Sequence, residues 1–115
     1  MTILCIGNDP NILTSRASVL RTTGAEVTAT SDKTAFEFIE HERFDLIVVG
    51  YSLSEDMARR VYEAAKARIP TPAVLRLRSP LDDLRPQAEQ YSDAVANTNP
   101  ATLVHAAAQL LGVSQ

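Results

Sequence analysis

The sequence predicts an α/β fold, a doubly wound parallel sheet with helices on both faces. Three observations lead there. Short apolar runs alternate with amphipathic stretches along all 115 residues. The strongest run, Phe44–Val49 (FDLIVV), is apolar and β-branched on both faces, as suits a central parallel strand. Helix-opening and helix-stopping residues recur between the runs: Asp9-Pro10, Gly24, Pro70-Thr71-Pro72, Asn99-Pro100 and Gly112.

Taken in order, Thr2–Ile6 reads as the first strand. Asp9 offers an N-cap and Pro10 the first position of a helix running to about Thr23, where Gly24 ends it. Its apolar face is Ile12, Leu13, Ala17, Val19 and Leu20. Glu26–Ala29 is a weaker second strand. Ser31 or Asp32 caps the next helix, which buries Ala35, Phe36 and Ile39. After the third strand a helix spans about Glu55 to Arg68, with Met57, Val61, Ala64 and Ala65 on one side. Ala73–Leu77 is a fourth strand, and a short helix lies between Leu81 and Gln90, started or broken at Pro86. Asp93–Ala96 is a poor fifth strand, and Asn99-Pro100 opens a last helix to about Leu111. Strict alternation with short loops implies a parallel sheet covered on both faces and right-handed crossovers, and with about five such units the common result is a three-layer, flavodoxin-like sandwich of strand order 2-1-3-4-5.

Composition narrows the function classes. The chain has the length of one domain, spanning residues 1–115, with 45% hydrophobic and 22% charged residues. A net charge of -3 gives no general attraction for nucleic acid or an anionic membrane surface. The single Cys5 lies inside an apolar run, which marks a buried structural thiol. No Cys/His spacing resembles a metal site, and no G-x-G-x-x-G or P-loop is present. The expected setting is cytoplasmic, because no signal-peptide pattern or run of membrane-spanning length is found.

In sheets of this order, ligands bind beyond the strand ends between the first and third strands. Gly7, Asn8, Asp9 and Gly50 are expected to meet there. Glycine stands where the third strand would deliver a reactive side chain.

These segments resemble the receiver domain of bacterial two-component response regulators over nearly the whole chain. ILCIGNDPNIL is similar to the first strand and loop of the family, an apolar run followed by two acids. GAEVTATSDKTAFEFI is similar to its second-strand segment, and FDLIVVGYSLSEDM to its phosphoacceptor segment. The resemblance implies a non-enzymatic signalling module. It also places the two metal-binding acids on Gly7 and Asn8 and the phosphoacceptor aspartate on Gly50. The switch hydroxyl falls on or near Leu77, followed by Arg78, and the partner lysine falls within Ala94–Asn97, which holds no lysine. Phosphoryl transfer to a carboxylate needs a nucleophile and a charge-screening cation, and magnesium needs hard oxygen ligands. The matching positions supply none of the acids. The expectation is therefore a degenerate receiver, or pseudo-receiver, that needs no cofactor or metal.

Several residues carry competing readings. Asp9 is a remnant ligand or, more simply, a helix cap. Asp45 lies at the start of its strand, about 15 Å from the site end at ~3.3 Å per residue, and cannot replace Gly50. Ser52, Glu55 and Asp56 line the pocket or form a solvated loop and cap. Arg76 and Arg78 either emerge into water at the strand end or reach the pocket and pair with Asp9 or Glu55. His41 and His105 read as surface residues, and Tyr91 as a packing residue near the fifth strand. On the last helix, Leu103, Ala107, Leu110 and Leu111 face the sheet. Ala101, Val104 and Ala108 then form a smooth outer surface. The resemblance marks that surface and Tyr91, on the face of the fourth helix, fifth strand and last helix, as an interface for a second copy or another signalling protein.

The functional expectation is a phosphorylation-independent interaction module of two-component or phosphorelay signalling, binding a kinase, regulator or output protein. Two alternatives stand beside it: phosphorylation on a substitute residue such as Asp9, Ser52 or Asp56, and a small-ligand or anion sensor using the vacated pocket.

Overall fold

The computed structural model describes residues 1–78 and 91–112. Along them run β1 (Thr2–Ile6), α1 (Pro10–Arg21), β2 (Glu26–Thr30), α2 (Asp32–His41), β3 (Leu46–Val49), α3 (Glu55–Lys66), β4 (Ala73–Arg78), β5 (Ala94–Asn97) and α4 (Pro100–Leu111). All strands pair in parallel, in the order β2-β1-β3-β4-β5. This is the flavodoxin-like α/β arrangement that the alternation predicts. The helix expected between Leu81 and Gln90 lies outside the described residues.

Local chemistry explains the element ends. Asp9 Oδ1 accepts from the amides of Asn11 and Ile12 at 3.0 and 3.3 Å, with Pro10 opening the helix. Asn99 Oδ1 repeats this on Ala101 and Thr102, and Gly112 closes α4 with φ 74°. Ser54 Oγ caps α3 through the Met57 amide. Ser31 occupies the cap position of α2 but makes no side-chain cap bond. β3 begins at Leu46 rather than Phe44, with residue 45 already tied to β1. The Asp45 amide donates to the Thr2 carbonyl, and its carboxylate accepts from the Thr2 amide at 2.8 Å.

The sheet alternates side chains between two cores. Ile3, Cys5, Leu46, Val48, Leu75 and Leu77 point to the layer containing Leu20 of α1 and Leu103, Ala107 and Leu111 of α4. Leu4, Ile6, Ile47, Val49 and Val74 point to the layer of α2 and α3, with Ala35, Ile39, Ala58, Val61 and Ala65. β3 is buried along its whole length, which puts Gly50 at the buried mouth between β1 and β3. No helix among the described residues is long and apolar enough to cross a membrane.

α4 departs from the expected face. Ala108 is 2% exposed, whereas Leu110 is only half-buried. Position 108 lies three residues before Leu111 and one after Ala107, so it widens the buried stripe rather than the outer surface. Ala101 is exposed and Val104 half-buried, so the expected smooth surface keeps those two and loses Ala108.

Candidate functional site

The loops after β1 and β3 meet as expected. The Gly50 amide donates to the Ile6 carbonyl at 2.9 Å, and the Asn8 amide donates to Ser52 Oγ at 3.4 Å. Gly7 and Gly50 are buried, while Asn8 and Asp9 are exposed. Asp9 spends its carboxylate on the α1 amides.

The residue that dominates the site is Arg16 of α1. It is only 8% exposed, and its Nη1 lies 3.0 Å from where a β-carbon on Gly50 would stand and 3.8 Å from that on Gly7. Its guanidinium carbon lies 5.9 Å from the Tyr51 ring centre, a cation–π contact. Among the described residues no acceptor hydrogen-bonds to its five donors. The sequence carries one signal for it. Position 16 falls within the buried turn of α1, three residues after Leu13, next to Ala17 and four before Leu20, so its charge sits on the inner stripe. Ile12, expected on that stripe, is instead 40% exposed.

Arg16 corrects the picture of a vacant pocket. The crevice bounded by Gly7, Asn8, Asp9, Ile12, Leu13, Arg16, Tyr51 and Ser52 has a volume of about 20 Å³, room for about one water molecule. The residues do not fit a divalent cation. Asp9, whose Oδ1 caps α1, is the one carboxylate among the residues lining the crevice, two positions are glycine, and a guanidinium already supplies positive charge at the strand ends.

The remaining candidates separate. Leu77 is a core residue paired in register with Ala96, and Arg78 stands opposite Asn97 at the end of β4. Neither lines the crevice. Arg76 does not emerge into water: it is 4% exposed, and its Nη2 donates to Glu55 Oε1 at 3.2 Å and to the Leu53 carbonyl at 3.4 Å. It shares the sheet face of Val74, on the side of α2 and α3, and the pair with Glu55 forms there rather than over Gly50. Asp56 is held on α3 by Arg59 and Arg60 at 2.7 and 3.1 Å. Tyr91 packs edge-on against Tyr62 of α3, with ring centres 6.3 Å apart. Burial pushes the Cys5 thiol up to about 11, against a smaller opposing effect of the Arg16 charge.

A second cavity, of about 420 Å³, lies between α1 and α4 and shares Ile12, Arg16 and Tyr51 with the crevice. Its walls are the outer turns of α1, Tyr51, Thr98 and the first turn of α4.

Solved structures share this fold over almost the whole chain. A protein described as a response regulator, from Chloroflexus aurantiacus J-10-fl, superposes with a TM-score of 0.79 at 20% identity, covering 96% of this chain and 97% of that one. A CheY-like response regulator receiver domain protein from Methanospirillum hungatei JF-1 gives 0.76 at 22% identity, covering 96% and 93%. The receiver domain of a sensor histidine kinase from Pseudomonas aeruginosa PAO1, solved with magnesium coordinated in its active-site cleft, gives 0.76 at 22% identity, covering 96% and 97%. No protein-family model and no curated protein sequence matches the chain. The fold is thus that of CheY-like receiver domains.

Proposed function

We propose that this chain is a phosphorylation-independent pseudo-receiver, a protein-interaction module of two-component or phosphorelay signalling rather than an enzyme. One observation supports the reading: the Arg16 guanidinium packs against Gly50, the residue that the resemblance aligns with the phosphoacceptor. A carboxylate acceptor needs a side chain and a metal at that point. Gly50 offers no side chain, positions 7 and 8 offer no carboxylate to hold a cation, and the charge at this strand end comes from a cation of the protein itself. The receiver fold is thereby held in one charge state by its own side chain, so its signal is its presence and its bound partner. The partner is another signalling protein in the cytoplasm, or a second copy meeting the face of Tyr91, Ala101 and Val104. Nucleic acid and membrane are not partners in this reading.

The test is intact mass after incubation with acetyl phosphate and Mg²⁺. The expected result is an unchanged mass. A gain of one phosphoryl group would overturn the reading and direct mapping to Asp9, Ser52 and Asp56.

A further inference from the structure

We propose that the groove between α1 and α4 is a binding site for a small organic anion, a carboxylate carried on an apolar or aromatic body, with Arg16 as its anchor. The recessed cation is the first argument. Arg16 is more than nine-tenths buried, lines the groove, and finds no hydrogen-bond acceptor among the described residues. Its nitrogens are not among the fully buried unpartnered atoms, so the recessed guanidinium keeps contact with solvent, and a carboxylate satisfies such a fork with two parallel hydrogen bonds. Asp9, the nearest carboxylate in the loop, is engaged by α1 amides and does not serve it.

The second argument is the shape and lining. The groove volume of about 420 Å³ lies within the ordinary range for small-molecule sites. Val19 and Leu103 supply apolar wall, Tyr51 an aromatic one, and Ser15 and Thr98 place hydroxyls along it. An apolar wall with one cation at its end selects an amphiphilic anion over a bare inorganic one. A recessed charge also suits a small molecule better than a side chain on a globular partner, whose surface must approach across the exposed rims at Asn11 and Ile12. The crevice of about 20 Å³ beside Gly7 and Tyr51 is too small for such a ligand, so this site is the neighbouring groove. The inference stands apart from phosphorylation independence, since occupancy of the groove is read without acetyl phosphate or partner.

The experiment titrates the intact chain with benzoate, following methyl and aromatic NMR signals of Val19, Leu103 and Tyr51. Benzamide serves as the neutral isostere and inorganic phosphate as the bare anion. Saturable shifts at these residues with benzoate are expected, with benzamide and phosphate at least about tenfold weaker, the loss set by a charged hydrogen bond. Arg16→Gln should weaken benzoate by about the same factor. Ser15→Trp, which fills the groove from an exposed helix position, should abolish the shifts, and circular dichroism checks that both variants fold. Equal affinity for benzoate and benzamide, equal affinity of wild type and Arg16→Gln, or no saturable shift would each overturn the proposal.

Discussion

Nη1 of Arg16 lies 3.0 Å from the place a β-carbon on Gly50 would occupy, and the carbonyl oxygen of Ile6 lies 2.9 Å from that same point. The two contacts differ in kind. Arg16 is the end of a flexible side chain, whereas Ile6 is strand backbone held by its hydrogen bond to the Gly50 amide. Gly50 is thus required by close approach as well as being unable to accept phosphate. At Gly7 the corresponding neighbours, Leu13 Cδ1 and Arg16 Nη1, stand at 3.4 and 3.8 Å, ordinary contact distances.

The two glycines should therefore respond differently to alanine. Gly50→Ala is expected to cost about 1–3 kcal/mol by overpacking, and Gly7→Ala to stay within about 0.5 kcal/mol. Urea unfolding midpoints check both. Adding Arg16→Gln to Gly50→Ala should recover only part of the loss, because the Ile6 carbonyl remains in place.

Arg76 and Glu55 form a lopsided pair. Arg76 is almost fully buried with its Nε and Nη1 lacking partners, while the Glu55 side chain is 37% exposed. Removing the arginine takes away a desolvated charge but leaves Glu55 Oε1 unpaired beside Oε2, which is buried without a partner. Removing the glutamate strands a buried cation. Arg76→Met is expected to cost less than Glu55→Ala, which should lose about 3 kcal/mol, as measured by thermal unfolding. Equal losses would contradict the asymmetry.

Cys5 links stability to alkaline pH. Its thiol is raised from an ordinary 9.0 to about 11 in the folded chain. The folded state therefore holds its proton more tightly than the unfolded state. The contribution is complete below pH 9 and is lost as pH rises from 9 to about 11. It amounts to about 2–3 kcal/mol at most. Cys5→Ala should flatten the stability decline over that window, and the native thiol should react with a thiol reagent at pH 8 only upon unfolding.

The caps offer a third comparison. Asp9→Ala and Asn99→Ala each remove an acceptor serving two amides, and each should cost about 1 kcal/mol. Asp9→Asn retains the acceptor and should cost less. Magnesium should leave the unfolding midpoint of all three variants and of the wild type unchanged, since Asp9 acts as a cap rather than as a ligand. A magnesium-dependent rise lost in Asp9→Ala would assign it to a metal.

Much of the fold was legible because its determinants are local. Asp9-Pro10, Asn99-Pro100 and Gly112 act on amides or carbonyls within four residues, and the two-sided apolar run at β3 declares a central strand by itself. What spacing left open falls where neighbours distant in sequence decide. Tyr91 meets Tyr62 across 29 positions, and Arg76 meets Glu55 across 21. Ala108 is buried by the width of the docked face of α4, which spacing along one helix does not specify.

The candidate site divides the same way. That position 50 carries no side chain and that residues 7 and 8 carry no acids are properties of the sequence alone. That Arg16 fills the crevice, with Arg76 elsewhere, was decided by tertiary structure. Which arginine reaches the strand ends depends on how α1 is rotated and seated on the sheet. That rotation is set by burial of Ala17 and Leu20 against strands drawn from the whole chain.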